Sequence, residues 1–214
     1  MNTLDYLWST AGDGPAFHQG YGDYLAQLMR GLDYVQINRA AQRLEAACRA
    51  GRTVFCVGNG GSAAMAAHFA TDLAWTHRTG PSQPPRVISL TTHTAMMTAV
   101  ANDAGYQDVF LEQLRGLFQP GDVVVAISSS GNSENVLRAV RYAHEHGGFS
   151  VGLSGFTGGQ LRSLCTLAIH VETPPGDYEP VEDAHQAVCH MLASAVKRRL
   201  ARPVRAVEFS GVAP

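Results

Sequence analysis

Apolar and polar positions along the chain alternate between two kinds of segment. Short continuous apolar runs stand at Val54–Val57, Arg86–Leu90, Asp122–Ile127, Phe149–Leu153 and Thr166–Val171. Each has the length and character of a strand buried on both faces. Between them the spacing of apolar residues changes to three and four, which predicts helices opening at Ser62 and over Thr94–Ala101, Asp108–Phe118, Glu134–His146 and Val181–Leu200. Ahead of the first strand, tyrosines, leucines and alanines recur at helical spacing from Ala16 to Ala50, broken near Gly31–Asp33, so two helices are expected over 16–31 and 34–50. The first fifteen residues, with Gly12, Gly14 and Pro15, read as a loose arm, and Thr76–Pro85 and Thr173–Pro180 read as loops rich in proline and glycine.

Strands alternating with helices predict an α/β protein with an open, mainly parallel sheet of about five strands. Three regions follow: a helical arm over 1–50, the α/β unit over 51–202 and a tail over 203–214. The leading helices either cover the sheet or pack on another subunit, and the pattern allows both. In such sheets ligands bind beyond the carboxyl ends of the strands. Two polar turns fall on that edge, and they hold the candidate chemistry.

The first is GNGGSA, residues 58–63. Its glycines let the backbone turn sharply and approach a ligand, and the helix opening at Ser62 offers free N–H groups to an anion. A dinucleotide reading needs an acid at the end of the next strand, where Thr91, Thr92, His93 and Thr94 stand instead. A nucleotide P-loop needs a Gly-Lys pair that is absent here. The second turn, SSSGNS, places Ser128, Ser129, Ser130 and Ser133 at another helix start, so a phosphate held by neutral donors is expected. On the first of these helices His68 and Asp72 lie four apart and share a face. On the last helix Glu182, His185 and His190 share one too, with His185 serving either as support or as packing.

Composition narrows the alternatives. A net charge of −2 gives no electrostatic reason to expect nucleic acid or an anionic membrane as partner. Cys48, Cys56, Cys165 and Cys189 are scattered, as buried thiols in a reducing cytoplasm would be. No signal peptide or spanning segment is visible. Lys197 is the only lysine and lies in the basic stretch KRR near a helix end, so Schiff-base chemistry in a core pocket is not expected.

With these residues in place, the chain resembles the sugar isomerase (SIS) family, and within it the phosphoheptose isomerases. The matching stretches are GNGGSA with His68 and Asp72, LTTHTAMMTAVANDAGYQDVF, PGDVVVAISSSGNSENVLRAV, VGLSGFTGG and the helix bearing His185 and His190. The resemblance implies a flavodoxin-like, doubly wound sheet, N-terminal helices that build a homotetramer, and active sites shared between subunits. It implies sugar-phosphate contacts at Asn59, Gly60, Gly61, Ser62, Asn102, Asp103, Ser128, Ser129, Ser130, Ser133 and Glu182. The family's glutamate base falls on Asp72, its histidine acid on His190, and its zinc ligands on His68, Asp72, Glu182 and His190, with Glu182 in place of a glutamine. The implied activity is the cytoplasmic conversion of sedoheptulose 7-phosphate to D-glycero-D-manno-heptose 7-phosphate through an enediol. The alternative within the family is a non-catalytic protein that binds phosphosugars or regulates replication initiation.

Overall fold

A computed structural model of the protein describes residues 1–76 and 84–201. The expected tail, most of the 76–85 loop, and His77 and Arg78 lie outside the described residues. The five strands are β1 (Thr53–Gly58), β2 (Arg86–Ser89), β3 (Val123–Ser128), β4 (Phe149–Ser154) and β5 (Leu167–His170). They form one sheet in the order β2-β1-β3-β4-β5, and every neighbouring pair is parallel. This is the doubly wound order in which connections leave β1 in opposite directions. The crevice between the carboxyl ends of β1 and β3 is therefore the place where the two polar turns meet.

Alternation along the strands divides the core. Val54, Cys56, Val123, Val125, Ile127, Val151, Leu153 and Ile169 face one layer, built by α3 (Tyr34–Arg49), α4 (Gly61–Ala74) and α9 (Tyr178–Leu200). Phe55, Val57, Val124 and Ala126 face the other, built by α5 (Thr94–Asp103), α6 (Leu111–Leu117), α7 (Glu134–Glu145) and α8 (Gly159–Leu164). The buried Asp122 carboxylate ties the entry of the sheet together by accepting from Thr53 N at 2.8 Å and Gln119 N at 2.9 Å. Free thiols at Cys56 and Cys189 are buried, and burial pushes the Cys189 thiol up to about 12.

Two stretches differ from the sequence expectation. The first fifteen residues are not a loose arm: α1 spans Thr3–Ala11, capped by the Asn2 side chain, which accepts from Asp5 N at 2.7 Å. The reason is long-range, since the buried Asp177 carboxylate at the head of α9 accepts from Thr3 N, Leu4 N and Tyr24 OH. Residues 178–180, expected in a loop, open α9; Pro180 sits in the first turn, where a missing N–H costs no helical hydrogen bond. Of the leading helices, α3 buries Ile37, Ala40, Ala41, Leu44 and Ala47 in the sheet's own core. By contrast α1 and α2 (Pro15–Arg30) bury no residue fully. Among the described residues no helix is long and apolar enough to cross a membrane.

Candidate active site

Both polar turns line one cavity of about 150 Å³, walled by Asn59, Ser62, Ser128, Ser129, Ser130, Ser133, Tyr178 and Glu182 with Ile127 at its base. Two helices point their starts at it. Gly60 precedes α4 and Ser133 precedes α7, and neither end is closed by a side-chain cap. Uncapped first-turn N–H groups and the positive ends of two dipoles favour an anion there.

In the second turn three serine hydroxyls are engaged and one is not. Ser128 Oγ stands 3.3 Å from Ser133 Oγ and accepts from Gly131 N, while Ser130 Oγ accepts from Asn132 N. Ser129 Oγ is buried with no hydrogen-bond partner. An orphaned hydroxyl is costly in a finished core, and an oxyanion in this cavity would supply the missing partner.

Two glycines shape the surroundings of this seat, and at Gly131 the backbone requires one. A Cβ on Gly61 would run into the Glu182 carboxylate, so glycine there leaves that carboxylate its present place against the head of α4. Gly131 has φ +66, and a Cβ there would stand 2.0 Å from Gly158 O.

The second group of polar residues lies further along the same two helices. His68 Nε2 is 3.4 Å from Asp72 Oδ2, and His190 Nε2 is 3.7 Å from the same oxygen. The two imidazole nitrogens are 3.3 Å apart, with the rings edge-on at 63°. Half of each imidazole side chain is open to solvent, 54% for His68 and 53% for His190. Two imidazoles and a carboxylate with donor atoms within 4.8 Å of one another suit a metal ion with an open fourth position. The donor set therefore fits zinc.

Glu182 is not in that group, although the family resemblance places it among the metal ligands. Eight residues separate it from His190, a rise of about 12 Å along one straight helix, so both cannot hold the same ion within one chain. Its carboxylate lies instead against Gly61 on the wall of the anion cavity. Burial first, then the neighbouring Glu179 and Asp183, hold that carboxyl above the usual carboxylate range. Asn102 and Asp103 also stand apart: they hydrogen-bond to each other at 2.7 Å on the surface at the end of α5, and neither lines the cavity.

Several side chains that complete the site were not legible as such. Asn135 exchanges two hydrogen bonds with Asn59, and Tyr106 OH donates to Asn59 Oδ1 at 2.8 Å, so Asn59 is fixed from two directions. Gln186 places its amide nitrogen 2.9 Å from His190 Nε2. Its position one turn before His190 was the available signal. Lys197, exposed near the end of α9, lines a cavity of about 220 Å³ together with Asp72 and His190. His185 is fully buried with both ring nitrogens unpartnered, which decides for packing. His144 bonds Ser150, and His170 bonds Ser154.

Fold and site define a doubly wound α/β protein with a serine-lined cavity at the carboxyl edge of its sheet and a His–Asp–His group further along the same two helices, a combination suited to a phosphorylated sugar. Residues 20–155 match the SIS domain family, to which the chain belongs. It is 39% identical to a phosphoheptose isomerase of Pelobacter propionicus over 81% of this chain and 89% of that one. With a phosphoheptose isomerase of Rhodospirillum rubrum the identity is 41%, over 77% and 86%. The phosphoheptose isomerase structure from Neisseria gonorrhoeae superposes with a TM-score of 0.78 at 30% identity, covering 86% of this chain and 96% of that one.

Proposed function

We propose that the protein is an aldose–ketose isomerase interconverting sedoheptulose 7-phosphate and D-glycero-D-manno-heptose 7-phosphate. The observation that carries this reading is the buried, unpartnered Ser129 hydroxyl in a cavity faced by two uncapped helix starts. Such a cavity selects a phosphate monoester, and the His–Asp–His group supplies the acid–base pair that isomerisation needs.

In this reading the phosphate rests on Ser62, Ser128, Ser129, Ser130 and Ser133 and on the first N–H groups of α4 and α7, with Asn59, Gly60 and Gly61 shaping the approach. Asp72 withdraws the proton from the carbon beside the carbonyl. His190, oriented by Gln186, moves the proton on the oxygen as the enediol forms and collapses. His68, Asp72 and His190 are the residues that would hold zinc, which when bound supplies an electrophile for the developing negative oxygen.

The reading includes shared sites in a homotetramer. Ser62 and Asp72 are ten residues apart on α4, about 15 Å of helix rise and longer than the open chain of a heptose phosphate. A sugar seated in one copy's anion cavity would thus meet Asp72 and His190 of a neighbouring copy, and Glu182 beside the seat would approach that neighbour's metal group. The amphipathic helices α1 and α2, which bury nothing fully in the single chain, supply surface for such packing.

The test is turnover of sedoheptulose 7-phosphate by the purified protein, with and without a chelator, beside Asp72→Asn. Asp72→Asn is expected to lose at least about 100-fold in kcat while still binding the sugar phosphate. Binding without turnover by the wild type would instead select the non-catalytic phosphosugar-binding alternative.

A further inference from the structure

We propose that Lys197 is a further catalytic residue of the isomerisation, its ammonium placed on the carbonyl end of the sugar where negative charge develops. This rests on the isomerase reading and extends it to a residue outside the His–Asp–His group.

The cavity of about 220 Å³ beside the acid–base pair is lined by Asp72, Trp75 and Thr76 from α4 and its end, and by His190, Ala193, Ser194 and Lys197 from α9. His190, Ser194 and Lys197 are four and three residues apart, so they form one stripe along the helix. Lys197 lies seven residues beyond His190, about 10 Å of rise, and helical side chains lean back toward the N-terminus. A four-carbon stem can therefore reach back along this stripe from its exposed position on α9.

Most polar partners in this cavity are already engaged. The Thr76 hydroxyl donates to Leu73 O at 2.8 Å. Ser194 accepts from Arg198 through both its backbone oxygen and its hydroxyl. His190 Nε2 is approached by Gln186 and His68. Lys197 enters no ion pair among the described residues. It is the ammonium left to meet an oxygen of the ligand.

The neighbouring cations have other tasks. Arg199 bonds Asn38 and pairs with Glu45, and Arg198 clasps Ser194. Those two arginines already complement the carboxyl end of α9. A dipole role thus leaves the placement of Lys197 in the cavity unexplained.

The step is redox-neutral. The C–H electron pair becomes the carbon–carbon double bond of the enediol, its proton passes to the Asp72 carboxylate, and the carbonyl π pair becomes a lone pair on oxygen. Lys197 hydrogen-bonds that oxygen without giving up its proton, and His190 supplies the proton that completes the enediol. An interaction that strengthens only as charge develops lowers the barrier rather than the Michaelis constant.

The experiment compares wild type, Lys197→Met and Lys197→Arg on sedoheptulose 7-phosphate with the metal-loaded protein. Lys197→Met is expected to lower kcat roughly 10- to 100-fold with KM within about twofold, and Lys197→Arg to recover most of the loss. Because this is the chain's only lysine, acetylation with an amine-reactive ester gives a second readout. Activity should fall in step with modification at residue 197 by mass spectrometry, the sugar phosphate should slow it, and Lys197→Arg should resist the inactivation. An active wild type whose Met variant or fully acetylated form keeps its kcat overturns the role of Lys197 alone. A wild type inactive on the sugar overturns the isomerase reading and this proposal with it.

Discussion

His185 makes the fold acid-sensitive, and the size of the effect can be worked out. The imidazole is fully buried on α9 between Val181, Ala184 and Val188, and neither ring nitrogen has a partner. Loss of solvent, aided by the nearby His170, lowers its pKa from 6.5 to about 4. The folded value lies below the unfolded one, so the unfolded chain takes up its proton first. Stability from this residue is fully present above pH 6.5 and is lost as the pH falls toward 4. By linkage the loss at pH 4.5 is on the order of 2–3 kcal/mol, or roughly 5–10 °C of melting temperature for a chain of this size. His185→Leu keeps the volume and removes both the charge and the unpartnered nitrogens, so it should be neutral or stabilising at pH 7.5 and flatten the acid limb. The check is thermal or urea unfolding of both proteins at fixed concentration from pH 8 to 4.5. Parallel acid limbs in the two proteins would refute the reasoning, because the remaining His170, also shifted down by burial, is common to both.

Asp177→Ala removes the acceptor of three donors and should destabilise by about 2 kcal/mol, with hydrogen exchange rising in α1 before the sheet; equal protection of α1 in both proteins would contradict the anchoring. Glu182→Gln takes a carboxylate from the wall of the anion cavity, so affinity for inorganic phosphate at pH 8 should rise about 3- to 10-fold. Because the Glu182 carboxyl is held above its ordinary range, that gain should shrink as the pH is lowered, and calorimetry showing no gain at any pH would remove Glu182 from the seat.

By itself the order of apolar runs determined the α/β class, the parallel sheet and the two polar turns at its carboxyl edge. The reason is that strand burial, helix periodicity and glycine-rich turns are local properties, each written within about ten residues. The residues that line the shared cavity were legible for the same cause, since Ser62 and Ser128–Ser133 belong to two short motifs. Only the tertiary structure decided which distant side chains meet. It brought Asp177 to the start of α1, 173 residues away from Leu4, and so ordered a segment whose glycines read as a loose arm. It put Glu182 against Gly61 rather than beside His190, a matter of two turns of helix rise that shared-face spacing does not reveal. It also set Lys197, exposed near the end of α9, along the same cavity as Asp72 and His190, because the packing of α9 on α4 sets which face of a long helix meets its neighbour.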